Sequence, residues 1–172
     1  FVKDQTENLC LLAIQQNGLA LQYVKNQNKE LCINAVQKNG LALSSLNNAI
    51  MVDPTYSKAY ELIGIIEQQN GNLESSISNF RMAVENDKKA YIANFRLASV
   101  LNEVKNFSEA KIAAKACIDI KRKYAAAWYE LGIAEKNLGN KAAAKIAFKE
   151  ASKDRKWKES AQYEIKMLDK ES

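Results

Sequence analysis

AAAWYELGIAEKNLGNKAAAKIAFKEASKDRKWK, residues 125–158, is the stretch whose reading decides the fold. Bulky side chains hold its fourth, seventh and twenty-fourth places: Trp128, Leu131 and Phe148. Small ones hold the eighth, twentieth and twenty-seventh: Gly132, Ala144 and Ala151. Between the two groups, Asn137 to Asn140 supply a turn, because Gly and Asn tolerate positive φ. The spacing predicts two antiparallel helices. Only Gly, Ala or Ser at the crossing point lets their backbones approach, and the large side chains fill the space to either side.

The same arrangement precedes it twice, so that starts 57, 91 and 125 are evenly spaced without a gap. The fourth places are Tyr60 and Asn94, and the seventh and eighth are Ile63-Gly64 and Leu97-Ala98. The twentieth are Ser76 and Ala110, the twenty-fourth Phe80 and Ala114, the twenty-seventh Ala83 and Cys117. Asn72, Asn106 and Asn140 mark the turn of each unit. The middle unit, with Asn94 and Ala114 for the two aromatics, should have the slimmest core. Over residues 57–158 this pattern resembles the tetratricopeptide repeat, as three units 57–90, 91–124 and 125–158. Lys88, Arg122 and Lys156 stand where that family usually has Pro, a departure at the inter-repeat turn. The resemblance implies an all-α fold: a right-handed α-solenoid of antiparallel helix pairs, about ten or eleven helices in all. Upstream, Ala42, Leu46 and Ala49 fall at the small and bulky places of a degenerate earlier unit that ends at Pro54, so residues 41–52 read as its second helix. Downstream, residues 157–169 place Trp157, Ala161, Ile165 and Leu168 on one face, as expected of a capping helix that covers the last apolar surface (domain 159–172).

Residues 1–56 carry a second, shorter period. AIQQNGLALQYV at 13–24 returns as AVQKNGLALSSL at 35–46, and Cys10 and Cys32 keep the same offset. Residues 8–46 resemble a family of short helical repeats known only as a domain of unknown function. Asn17-Gly18 and Asn39-Gly40 end one helix of each copy and Leu19 and Leu41 start the next. No Ser/Gly/Pro-rich linker divides this region from the rest, so residues 1–56 are expected to continue the solenoid and cap its N-terminal side.

Composition agrees with helices and excludes several functions. Of 172 residues 47% are hydrophobic and 26% charged, with one Pro and six Gly, enough for a buried core and few helix breakers. Three scattered Cys and no His argue against a disulfide framework or a metal site and favour buried core thiols in a reducing, cytoplasmic setting. The chain starts at Phe1 rather than Met, as expected of a fragment or processed product. No apolar run reaches membrane-spanning length. Without His, the Ser-His-Asp and Cys-His arrangements are impossible. The Gly residues lie in turns and crossings, not in a phosphate loop, and Glu61 and Glu67 are expected on solvated helices. The expected protein is not an enzyme and needs no cofactor.

What remains is surface. In the family, first helices of successive units line a concave groove. The corresponding residues are Lys58, Glu61, Ile65 and Gln68, then Ile92, Phe95, Arg96, Ser99 and Asn102, then Tyr129, Ile133 and Lys136. Phe95, Arg96, Tyr129 and Lys136 lead, since aromatics beside Arg are typical binding anchors, although both rings could instead pack against neighbouring helices. Some family members clamp an acidic chaperone tail; here Glu61, Ile65, Arg96, Ala126 and Glu130 replace the clamp's residues, and Glu130 would repel a carboxylate. The second surface is a ladder, Lys141, Lys145, Lys149 and Lys153, within residues 123–158, which carry nine basic against four acidic side chains. The net charge of +5 is too mild, and the ladder too poor in aromatics, to favour nucleic acid. The expected function is a non-catalytic scaffold that binds a partner peptide or helix in the groove. The alternatives are an assembly module whose ends, or an exposed Trp157, stack on another copy or on other parts of a larger polypeptide, and attachment of an acidic partner to the ladder.

Overall fold

The computed structural model describes residues 41–170. They form eight helices: α1 (Leu41–Val52), α2 (Ser57–Gln69), α3 (Leu73–Asn86), α4 (Tyr91–Glu103), α5 (Phe107–Ile120), α6 (Ala125–Asn137), α7 (Lys141–Ala151) and α8 (Lys158–Lys170). The described residues contain no strand. The short repeats up to residue 40, with Cys10 and Cys32, lie outside the described residues, as do the remaining helices expected from the sequence.

The three hairpins α2–α3, α4–α5 and α6–α7 turn in the same way. The N–H groups of Gly71 and Asn72 donate to the carbonyls of Gln68 and Glu67; Lys105 and Asn106 do so to Asn102 and Leu101; Gly139 and Asn140 do so to Lys136 and Glu135. This double bond pattern satisfies the last carbonyls of a helix and requires a left-handed residue just past its end. Gly71, Lys105 and Gly139 take that place at φ 79°, 63° and 81°. The middle turn therefore strains a lysine where its neighbours use glycine.

At the hairpin crossings, a Cβ on Gly64 would lie 2.7 Å from the Phe80 ring and one on Gly132 would lie 2.5 Å from Phe148. In the middle unit the crossing is Ala98 with Ala114, both buried. Glycine and phenylalanine are thus exchanged together for two alanines. Ser76 adds a polar tie, its hydroxyl donating to the Gly64 carbonyl at 2.8 Å.

Successive first helices touch: α2 contacts α4, and α4 contacts α6. Second helices contact the first helix of the following unit instead: α3 on α4, α5 on α6, α7 on α8. First helices therefore line the inside of the curve and second helices the outside. α1 leans on α2, as expected for the second helix of an earlier unit, with Leu46 buried. One core cluster runs from Ile65 to Ala147 through all three hairpins, and a second joins Phe148 and Ala151 to Ala161 and Leu168 of α8.

The third unit departs from the strict period. The turns after α1 and α3 carry Asp53 and Asp87, whose carboxylates accept from the N–H of Thr55 and Lys89. Asp154 plays this part after α7, accepting from Lys156, one place earlier than the spacing from Asp53 to Asp87 would put it. α7 itself stops at Ala151, short of where α3 and α5 end in their units, and α8 begins at Lys158.

Candidate partner-binding groove

Between unit two and unit three, Phe95 meets Tyr124 edge to face at 5.3 Å, and Tyr91 meets the same ring at 5.3 Å. Lys121 closes this cluster, its ammonium 4.2 Å from the Tyr91 ring centre. One repeat on, Tyr129 lies 4.8 Å from Trp157 and 5.5 Å from Phe148. Both rings thus join neighbouring elements and keep only part of their surface for a partner. Trp157 is packed against α6 rather than presented as an exposed stacking face. Burial raises the phenol pKa of Tyr129 and Tyr124 above its usual value, with nearby Glu164 adding to the effect on Tyr129.

A polar line runs beside the rings along the inside of the curve. Asn102 on α4 donates to the carbonyl and carboxylate of Glu130 on α6, at 3.0 and 2.9 Å. Lys136 on α6 donates to Glu164 on α8 at 2.7 Å, across the same interval of sequence. Burial pushes the Glu130 carboxyl above the usual carboxylate range, against the hydrogen bonds of Asn102 and Ser99 and the charge of Arg96, which pull it down. Arg96 holds its guanidinium carbon 5.6 Å from the Phe95 ring centre.

Two of the expected groove residues are not at the surface. Glu61 is 5% exposed and Ile65 is 3% exposed. Glu61, expected on a solvated helix, is instead held by the Lys58 ammonium within the same turn. Ile65 belongs to the main core because its face of α2 is covered by the next hairpin. Lys58, Gln68, Ile92, Phe95, Arg96, Ser99, Asn102, Tyr129, Ile133 and Lys136 are all half-buried. Glu130 and Glu164 belong with them; their signal in the sequence is the equal spacing of Asn102 to Glu130 and Lys136 to Glu164.

The lysine ladder is not one stripe. Lys153 lies beyond the end of α7 and pairs with Glu150. Lys145 pairs with Asp169 of α8 at 2.6 Å, just as Lys111 pairs with Glu135 at 3.0 Å one repeat earlier. In unit one the corresponding residues are Ile77 and Leu101, both in the core. Lys145 therefore serves the joint between units. Lys149 is exposed and Lys141 half-buried.

Among the described residues no group of three or more His, Cys, Asp or Glu could hold a metal ion. Cys117 is buried, and burial raises its thiol pKa to about 12, far from a reactive thiolate.

The family model described as tetratricopeptide repeat matches residues 91–124 and 125–153. The fold is a tetratricopeptide-repeat solenoid. The hairpin α2–α3 before them shares its turn with both matched units and its Gly–Phe crossing with the later one. Residues 6–51 match a domain of unknown function, DUF4116. No curated protein sequence matches the chain. Among solved structures, a crystal structure of MamA superposes with a TM-score of 0.74 at 17% identity, over 83% of this chain and 84% of that one. The Arabidopsis OM64 TPR domain gives 0.64 at 17% identity, over 67% of this chain and 96% of that one. The first TPR of Spaghetti (RPAP3), bound to an HSP90 peptide SRMEEVD, gives 0.64 at 17% identity, over 66% and 90%. At such identities the likeness is one of fold. No helix among the described residues is long and apolar enough to cross a membrane.

Proposed function

We propose that this chain is a non-catalytic scaffold that binds a peptide or helix of another protein along the inside of the solenoid. The observation that supports the reading is the contact of first helix with first helix, together with the partial exposure that ten apolar and polar side chains keep on those helices. The polar line is already compensated: Asn102 serves Glu130, and Lys136 serves Glu164. A fitting partner therefore supplies mixed apolar and polar side chains rather than a run of acids. The acidic chaperone tail bound by the RPAP3 domain is a poor fit, because Ile65 and Glu61 are buried and Glu130 stands where a positive residue would be needed.

The test fills the groove without removing a packed ring. Gln68→Trp/Ser99→Trp and the parent chain are used side by side as bait in nuclease-treated lysate of the source cell, after thermal melts show equal stability. A protein held by the parent and lost by the variant supports the groove. Equal retention of every captured protein overturns it.

A further inference from the structure

The outer surface of units two and three carries a feature that the groove does not use. Ile112 on α5 is 69% exposed and Ile146 on α7 is 62% exposed. They hold the same place in successive units. Each is followed one turn later on its helix by an exposed lysine, Lys115 and Lys149, and neither lysine makes an ion pair with a described residue. In unit one the corresponding residues are Ser78 and Arg81, and Arg81 is tied to Glu109 at 2.7 Å. The apolar and basic pair is therefore confined to units two and three. Neither isoleucine contributes to the cores, and an Ile left in water forgoes the free energy that its burial would supply. Nearby acids do not cancel the lysines fully. Glu135, which feels the charge of Lys115, is buried and already held by Lys111. Glu150 is engaged by Lys153, leaving Asp119.

We propose that this outer face of α5 and α7 is a second docking surface, for an acidic amphipathic helix of a partner protein. The isoleucines would enter its apolar stripe and Lys115 and Lys149 would meet carboxylates at the stripe's edges. Charge complementarity selects this occupant. The chain's own residues 1–40 offer four lysines against three acids, so they do not match a basic patch. The surface is distinct from the concave groove, since second helices lie on the outside of the curve.

The probe is a fluorescein-labelled helical peptide of about five turns, with Leu at every third or fourth position and Glu flanking the stripe. Its twin carries Lys in place of Glu, and phosphatidylcholine vesicles doped with phosphatidylserine serve as a lipid surface. Anisotropy titrations use the full chain, Ile112→Ser/Ile146→Ser, Lys115→Glu/Lys149→Glu, and Gln68→Trp/Ser99→Trp. The expected result is saturable binding of the acidic peptide alone. It should weaken at least tenfold in both outer-face variants and stay unchanged in the groove variant. The outer-face side chains replaced are exposed, so those variants should melt with the parent. Binding that ignores the isoleucines, binding lost in the groove variant, or binding of vesicles but not peptide would each overturn the proposal.

Discussion

At the scale of single residues, the crossing of each hairpin is a shared volume. Phe80 and Phe148 are fully buried against glycines that leave no room for a methyl group, whereas the middle unit divides the space between Ala98 and Ala114. Gly132→Ala alone should destabilise by about 1–3 kcal/mol through overpacking. Phe148→Ala alone should cost about 3–5 kcal/mol through a cavity. The double variant rebuilds the middle unit's crossing, so its loss should fall short of the sum by about 1 kcal/mol. Urea titrations of the four proteins measure this, and strict additivity would show that the two positions do not share space. The pairing was readable only in part. Small and large places were plain from the period, but the joint exchange of Gly-Phe for Ala-Ala needed the ring's distance to the missing Cβ.

Between elements, the joint from second helix to next first helix uses one pair of positions with two chemistries. It is apolar as Ile77 and Leu101, and ionic as Lys111 with Glu135 and Lys145 with Asp169. Glu135 is 4% exposed. Burial alone would raise its carboxyl pKa, but hydrogen bonds from Lys111 and Asn140 and the charge of Lys111 hold it below the usual value. A carboxyl with a lowered folded-state pKa adds stability above its unfolded pKa and loses it as pH falls through the folded one. Lys111→Met should therefore cost about 3 kcal/mol at pH 7, by leaving a buried carboxylate short of its cation. The cost should shrink as the pH falls through the acid range and Glu135 becomes protonated. Lys111→Ile/Glu135→Leu, which copies the first joint, should recover most of the loss at pH 7. Denaturation midpoints at pH 7 and pH 3 check both points; a loss that stays constant with pH would rule out Glu135 as its source. In the sequence Lys145 read as a rung of a basic stripe, since its partner, Asp169, lies far along the chain in a different element.

For the molecule as a whole, the array is open-ended and each unit relies on its neighbour. α8 covers the last apolar face, placing Ala161 and Leu168 on Phe148 and Ala151 and tying back through Lys136–Glu164 and Lys145–Asp169. Truncation after Arg155 removes these contacts together with the Trp157–Tyr129 stack. The shortened chain should melt at a lower temperature and bind a hydrophobic dye that the full chain does not. An unchanged melting curve would mean that α8 is an appendage. The capping helix was legible as a face of Trp157, Ala161, Ile165 and Leu168, but the early end of α7 before it was not, because a lengthened turn leaves the apolar spacing intact.

The sequence by itself determined the helix pairs, their turns and their crossings. These depend on contacts within one repeat, where side-chain size and backbone freedom recur at fixed spacing. It determined the inner-face candidates only as a list of register positions. The tertiary structure decided which of them are surface. Glu61 and Ile65 went into the interior and Phe95 and Tyr129 into the joints, because the depth of a first-helix residue depends on how far the next unit leans over it. That lean is set by pairs of side chains in different units, and a one-dimensional period does not contain it.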